Sequence, residues 1–269
     1  MQTPQMLETA RVAKDTDLLG SWMPVPGLGQ LPCNAYLIKS KQPVLVDTGI
    51  AALATPFMDS LEKQIDLDDL RWIWITHMDP DHIGNLNAIL AKAPKARVVT
   101  NYLGMGKMGL LGLPQERAYL INPGQHLDVG DRQILALRPP TYDAPETCAL
   151  FDTRSRAFFC ADSFGVVQQT QTDTAEAIDV EALYQGMSLW NSVDTPWLAM
   201  SDAQRLNQAL DAVHRLQADV ILGSHLQPAR GIVERLTEGV RRSREAPNFV
   251  GPDQKALEAM MTATMAEAA

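Results

Sequence analysis

The chain has little of what secreted and membrane proteins depend on. Only three of its 269 residues are cysteine. An odd, sparse and widely spaced set argues against a disulfide framework and is typical of a reducing cytoplasm. The first twenty residues contain no apolar signal core, and no hydrophobic run approaches the length of a membrane span. The sequence therefore predicts a soluble cytoplasmic protein with no membrane partner.

Excess positive charge and repetition are also missing. The formal net charge is −9 at pH 7, which argues against non-specific binding to nucleic acid or to an anionic membrane. No repeat or low-complexity linker divides the chain. Hydrophobic residues make up 46% of it and charged residues 20%, as in an ordinary globular protein with a sizeable core.

Strands and helices are mixed in both halves of the sequence. Apolar runs bounded by turn residues predict strands at 34–38, 43–46, 72–75, 97–100, 118–121, 133–137, 148–151, 157–160 and 220–222. Helical periodicity predicts helices at 51–65, 86–93, 179–189, 203–216, about 231–242 and about 253–266. The stretch before about residue 19 is predicted to be an arm or a short strand. This order favours one domain, residues 1–269, with two packed sheets.

The segment from residue 77 to residue 82 carries the most chemistry. It contains two imidazoles, His77 and His82, and two carboxylates, Asp79 and Asp81. It follows the predicted strand 72–75, so its side chains are expected at the carboxyl edge of a sheet, where open α/β folds place their sites. A helix cap needs only one such residue. Imidazole with carboxylate suits zinc, iron or manganese, and the loop is therefore interpreted as a metal site.

Residues 104–109 match the dinucleotide fingerprint GxGxxG. The match begins several residues beyond the strand at 97–100, and no helix is well placed to receive a pyrophosphate. The segment is therefore predicted to be a flexible loop near the site.

Two metals need more ligands than one loop supplies. Three later segments follow predicted strands and offer Asp143, Asp162 and His225. In this order the segments resemble the metallo-β-lactamase superfamily. Residues 34–49 are similar to its opening hairpin, residues 77–82 to its HxHxDH motif, Asp162 to its bridging aspartate, and His225 to its final histidine.

That resemblance covers roughly residues 32–230. It implies an α/β (α+β) fold, an αββα sandwich with metals at the seam between the sheets. The core is expected at about 20–230, followed by C-terminal helices within 231–269.

Within the superfamily, residues 79–84 most resemble the di-iron domain of flavodiiron proteins, which carry a carboxylate where hydrolases have the second histidine. Residues 162–165 resemble the segment around the bridging aspartate of the same domain. The resemblance implies one metal on His77, Asp79 and Asp143, a second on Asp81, His82 and His225, and Asp162 as the bridge. Asp79 departs from the usual glutamate. Asp143 stands where both groups usually have histidine.

Four aspartates would bring about four negative charges to two divalent cations, which lowers the Lewis acidity of the metals. Hard carboxylates favour iron, with zinc and manganese as alternatives. The sequence thus predicts a di-iron protein that binds, senses or reduces O2 or NO. A metal-dependent hydrolase of an ester, lactone or thioester is the alternative. Asp81 and Tyr142 are the candidate catalytic residues, and Tyr142 is equally compatible with a core or rim role.

No flavodoxin-like domain and no rubredoxin-like cysteine pair is recognised in the sequence. Electrons are therefore expected from an external redox partner, with little NADH-driven oxygen reduction by the chain alone. A small-molecule ligand is expected, and a homodimer is compatible with the sequence. His126 and His214 are predicted to be surface or partly exposed residues, and Cys148 and Cys160 to be packed thiols.

Overall fold

The structure, a computed structural model, describes residues 3–267. Two β-sheets pack face to face in it, and helices cover both outer faces. The first sheet contains β1 (Gln5–Met6), β2 (Ala10–Ala13), β3 (Thr16–Val25), β4 (Gly29–Ile38), β5 (Val44–Val46), β6 (Trp72–Trp74), β7 (Arg97–Thr100) and β8 (Ala118–Leu120). The second contains β9 (His126–Asp128), β10 (Gln133–Leu137), β11 (Ala149–Asp152), β12 (Ala157–Phe159), β13 (Val220–Gly223) and β14 (Leu226–Ala229).

The helices fall into one group for each sheet. On the first sheet's side are α1 (Ala54–Glu62), α2 (Pro80–Ile83), α3 (Leu86–Lys92) and α4 (Tyr102–Leu110). On the second sheet's side are α5 (Val180–Asp194) and α6 (Ala203–Leu216), which lie between β12 and β13, and α7 (Val233–Ser243), which follows β14. Helix α8 (Gln254–Glu267) comes last in the chain. Short 3₁₀ helices lie at Ala51–Leu53, Gln115–Arg117, Ala175–Ala177 and Pro196–Met200.

Three layers of buried side chains hold the sandwich together. Strand β4 shows how they form, because successive side chains of a strand point to opposite faces. Ala35 and Leu37 pack under the helices of the first sheet, whereas Tyr36 and Ile38 lie in the seam against the second sheet. Strand β12 divides in the same way, with Phe159 in the seam and Phe158 under the second group of helices. The predicted αββα sandwich is therefore confirmed.

Strand direction decides where the loops of the site emerge. Strands β5, β6, β7 and β8 are parallel neighbours, and β12 and β13 form a parallel pair in the second sheet. The other pairs, including the ten-residue ladder of β3 with β4, are antiparallel. In open α/β architectures the carboxyl ends of parallel strands form the edge where ligands bind.

The predicted elements agree with the structure best where the hydrophobic run is bounded by clear turn residues. Strands β7 and β10 and helix α6 have the predicted bounds. The N-terminal stretch is not an arm: it forms β1 and β2 and begins β3. Strand β3 was missed because Gly20 and Pro24 interrupt its pattern, and its long pairing with β4 compensates.

The flexible loop predicted at residues 104–109 is wrong, because these residues lie in α4. Asn101 caps this helix: its side-chain oxygen accepts hydrogen bonds from the backbone N–H groups of Leu103 and Gly104. Gly104 is required by packing, since a β-carbon there would meet the Thr100 side chain at 2.1 Å. The glycines of this segment thus fit a helix close to the sheet and not a phosphate-binding turn.

The expectations for residues away from the site are confirmed. His126 is exposed and His214 is half-buried. Cys148 and Cys160 are buried, and burial raises the pKa of the Cys148 thiol to about 12. Such thiols are unreactive packing groups. Among residues 3–267, no helix is both long and apolar enough to cross a membrane.

Candidate metal centre

Loops from both sheets bring the candidate ligands to one end of the seam. Asp47 follows β5 directly, and His77 lies three residues beyond β6. Asp162 and His225 occupy corresponding positions after the parallel strands β12 and β13. Asp47 and Ala161, at two of these strand ends, have φ angles of 56° and 53°. Left-handed backbone at non-glycine residues costs about 1–3 kcal/mol and is concentrated at functional sites.

The first cluster forms around His77, whose side chain is buried. Its Nε2 atom lies 3.4 Å from Oδ2 of Asp162 and 3.9 Å from Oδ1 of Asp143. The ligand atoms of His77, Asp79 and Asp143 all lie within 4.8 Å of one another. One imidazole and three carboxylates are therefore positioned to surround a single cation.

The second cluster contains His82, His225 and Asp81. The Nε2 atoms of the two histidines lie 3.4 Å and 3.2 Å from the same atom, Oδ2 of Asp81. They also lie 3.2 Å and 3.5 Å from Oδ1 of Asp162. Asp162 thus directs one carboxylate oxygen to each cluster, as a bridging ligand would. All seven ligands predicted from the sequence meet in these two clusters.

Hydrogen bonds on the far side of the imidazoles fix their orientation. Nδ1 of His82 lies 2.9 Å from Oδ2 of Asp47, and Nδ1 of His225 lies 2.8 Å from the carbonyl oxygen of Pro32. Because these partners accept hydrogen bonds, each Nδ1 carries a proton and each Nε2 is the ring atom turned toward the centre, where it can bind a cation once its own proton is released. Asp47 is itself held by the backbone N–H and the hydroxyl of Thr76.

The unpaired atoms of the centre fit a bound cation. Nε2 of His82 and Oδ1 of Asp162 are buried and have no hydrogen-bond partner among the described residues. An unsatisfied buried polar group typically costs about 1–3 kcal/mol. Both atoms belong to residues no more than 4% exposed and both face the space shared by the clusters. A metal ion satisfies both atoms, so the donor set and its geometry fit a dinuclear centre.

The electrostatics of the metal-free centre lead to the same conclusion. Burial lowers the pKa of His82, but the carboxylates of Asp162 and Asp81 outweigh it and raise that pKa well above its usual value. The pKa of His225 is raised in the same way: burial lowers it, but the carboxylates of Asp162 and Asp81 outweigh burial. Protons on the histidines thus balance the carboxylates when no cation is bound. Metal binding is expected to release them.

Sequence reasoning missed three residues that complete the surroundings of the centre. Asp47 falls within residues 34–49, which resemble the opening hairpin of the superfamily, and its place directly after a strand is the only sequence signal for it. Trp190 of α5 donates its indole N–H to the carbonyl oxygen of Asp162 at 3.0 Å, and its ring lies 4.5 Å from that of His225. Asp194, at the end of the same helix, has its pKa raised to about 8 by burial and by the nearby carboxylates of Asp162 and Asp143.

Tyr142 directly precedes Asp143 in the chain. Its ring packs 5.9 Å from that of Trp197 and beneath the guanidinium of Arg138 at 4.9 Å. Its backbone carbonyl accepts a hydrogen bond from the Trp197 indole. These contacts fix the segment that carries the neighbouring residue Asp143.

Replacing Asp143 tests the ligand that departs most from the resembling families. The Asp143 side chain is 24% exposed, so Asp143→Ala should leave the fold intact. We expect its affinity for the metal beside His77 and Asp79 to fall by at least about 10- to 100-fold, which is the usual effect of losing even an outer-shell partner. Occupancy of that metal position should fall accordingly. Asp143→His removes a negative charge and should favour zinc over iron. Elemental analysis of purified variants measures both effects.

Unchanged metal content in Asp143→Ala, with a loss of about 1 kcal/mol in unfolding free energy, would contradict this role. Asp143 would then only order the turn before Pro145, as a local side-chain cap does.

Comparison with known proteins agrees with the geometry. Residues 31–225 match the family described as ODP family beta lactamase. The chain is 25% identical over 195 residues, 71% of its length, to anaerobic nitric oxide reductase flavorubredoxin from Vibrio vulnificus. It is 31% identical over 134 residues, 49% of its length, to putative diflavin flavoprotein A 1 from Thermosynechococcus vestitus. It spans 39% and 23% of these two relatives.

Solved structures share the fold. Rubredoxin oxygen:oxidoreductase from Desulfovibrio gigas superposes with a TM-score of 0.74 at 17% identity, covering 88% of this chain and 61% of that one. The flavodiiron protein from Giardia intestinalis gives a TM-score of 0.75 at 17% identity, covering 90% and 60%. The two-sheet architecture is therefore the metallo-β-lactamase fold of flavodiiron cores. Because the family match spans most of the chain, this protein belongs to the ODP family of beta-lactamase-fold proteins.

Proposed function

We propose that this chain binds two iron ions in the centre and reduces O2 or NO there with electrons from a separate redox protein. The observation that carries the proposal is the convergence of three imidazoles and four carboxylates in two clusters that share Asp162. The names of the matched relatives, which include a nitric oxide reductase and a rubredoxin oxygen:oxidoreductase, support the same chemistry.

Charge favours iron over the hydrolytic alternative. A hydrolase of this fold needs a strongly Lewis-acidic metal to acidify bound water, which a shell of mostly imidazole provides. Here Asp79, Asp81, Asp143 and Asp162 supply about four negative charges against two divalent cations, which lowers that acidity and stabilises oxidised iron. Iron, when bound, would supply the electron transfer to the small ligand.

The chain's own residues determine how the ions are held and shielded. His77, Asp79 and Asp143 would hold one ion, and Asp81, His82 and His225 the other, with Asp162 joining them. Asp47 and the Pro32 carbonyl keep the His82 and His225 rings oriented. Trp190 covers the His225 ring and limits access of water to it.

Metal content and gas binding together test this proposal. Protein produced in iron-rich medium should contain about two iron ions per chain, as the two clusters predict. After anaerobic reduction by dithionite, NO should give a new visible absorption, and air should restore the oxidised spectrum. NADH alone should drive little oxygen consumption, because electron delivery from NADH requires a flavin or a comparable cofactor.

A zinc-loaded sample is the control, since zinc has no redox chemistry and should show neither response. One tightly held zinc with no second metal would overturn the proposal. So would hydrolysis of an ester, lactone or thioester that follows zinc content while the iron form is inert to NO.

A further inference from the structure

Asp194 brings another carboxylate to the centre. Its ligand oxygen lies within 4.8 Å of those of Asp143 and Asp162, and theirs lie within 4.8 Å of each other. Its Oδ2 atom is buried and has no hydrogen-bond partner among the described residues. Three carboxylates this close repel one another when ionised, and no lysine or arginine ion pair involves any of the three in the described part of the chain. A cation among them would remove that repulsion.

The end of α5 is built to hold Asp194 in this position. Trp190 lies four residues earlier, on the same helix face. Its indole N–H donates a hydrogen bond to the carbonyl oxygen of Asp162. Trp197 lies three residues later, in the following 3₁₀ helix. Its indole N–H donates a hydrogen bond to the carbonyl oxygen of Tyr142, the residue before Asp143. Each tryptophan therefore anchors α5 or its extension to a loop that carries one of the neighbouring carboxylates.

Buried hydrogen bonds make the same helix end rigid. The Thr195 hydroxyl donates to Oδ1 of Asn191 at 2.8 Å, and the Asn191 amide donates to the Met187 carbonyl and to the Ser243 hydroxyl. Thr195 and Asn191 are 0% and 2% exposed. A rigid, doubly anchored carboxylate with an unpaired oxygen is pre-organised to contact a ligand.

We propose that Asp194 is a further ligand of the metal beside His77, completing a shell that also contains Asp79, Asp143 and Asp162. The inference rests on the proposed dinuclear centre. It extends that centre by an oxygen donor from α5, a helix that packs on the second sheet. His77 is 3.4 Å from Asp162 and 3.9 Å from Asp143, so one ion in this space lies near the imidazole and all three clustered carboxylates. With Asp194 the centre carries about five negative charges, which suits hard cations of higher charge.

Titration of the metal-depleted full chain with Co²⁺ tests the proposal without depending on catalysis. Asp194→Asn keeps the size of the side chain and removes the anionic ligand. It should weaken binding of one of two Co²⁺ ions by about 10- to 100-fold. It should also change the visible Co²⁺ spectrum, because the geometry around that ion changes.

Glu181→Gln is the matched control, since it removes an exposed carboxylate from the first turn of the same helix. Its affinities and spectrum should equal those of the parent chain. Circular dichroism of metal-free Asp194→Asn separates loss of a ligand from loss of the fold, and Asp194→Glu should restore part of the affinity.

The outcomes distinguish this inference from the proposed function. If the parent chain binds two Co²⁺ ions and Asp194→Asn binds both with the same affinities and spectrum, Asp194 is not a ligand and the inference is overturned while the dinuclear centre stands. If the parent chain binds fewer than two ions, the dinuclear centre itself fails and the inference fails with it.

Discussion

Asp162→Ala is expected to remove both metals, whereas changes at other ligands should remove one. Only Asp162, among the seven ligands proposed from the sequence, directs an oxygen to each cluster: Oδ2 toward His77, and Oδ1 toward His82 and His225. Its loss also leaves the three neighbouring histidines without the carboxylate that lies between them. We expect affinity for each ion to fall by more than about 100-fold, beyond the usual effect of losing an outer-shell partner.

Iron per chain, measured by elemental analysis after gel filtration, checks this expectation. Asp143→Ala is the comparison, because Asp143 contacts only the cluster of His77 and should leave the second ion in place. An Asp162→Ala protein that still retains two ions, or that loses one and keeps the other at parental affinity, would show that the clusters are independent. The bridging role of Asp162 would then be wrong.

The convergence of the seven candidate ligands was predictable from sequence, because they lie in segments that follow predicted strands and carry unusual chemistry. Residues 77–82 contain four metal-binding side chains directly after an apolar run, which few other functions require. Asp162 and His225 follow short apolar runs in the same way. Their convergence depends on parallel pairing of β12 with β13 and on packing of the two sheets. The resemblance to a known superfamily provided that long-range information.

Trp190 and Asp194 were not predictable by the same reasoning. They lie on α5, a helix that packs on the outer face of the second sheet and whose position is fixed by contacts with α7 and with loops distant in sequence. Nothing in the local pattern of residues 180–194 separates a carboxylate near a metal from one facing solvent. The prediction for α4 failed for a related reason, because capping by Asn101 and packing against Thr100 override the low helix propensity of glycine.

At the other end of the seam, Arg132→Met should destabilise the protein by about 3–5 kcal/mol, as expected when one partner of a buried ion pair is removed. The Arg132 side chain is 2% exposed and pairs with Asp15 at 2.9 Å, Asp131 at 2.8 Å and Asp152 at 3.1 Å. Asp152 is fully buried at the end of β11, and Asp15 lies in the turn between β2 and β3. The variant would leave the Asp152 carboxylate in the interior without its cation and would remove the ion pair that joins the two sheets through Asp15.

Urea unfolding of metal-free protein measures this loss, with Arg154→Met as the control. Arg154 also pairs with Asp131, but its side chain is 43% exposed, so its replacement should cost no more than about 1 kcal/mol.

The hydrogen bond from Arg132 lowers the pKa of Asp131 to about 2. The stability contributed by the pair of Arg132 with Asp131 is therefore fully present above the ordinary carboxyl pKa. It is lost as the pH falls through about 2. The deficit of Arg132→Met should accordingly be constant between about pH 5 and 8. Equal losses in the two variants would show that burial of Arg132 adds nothing to the pair.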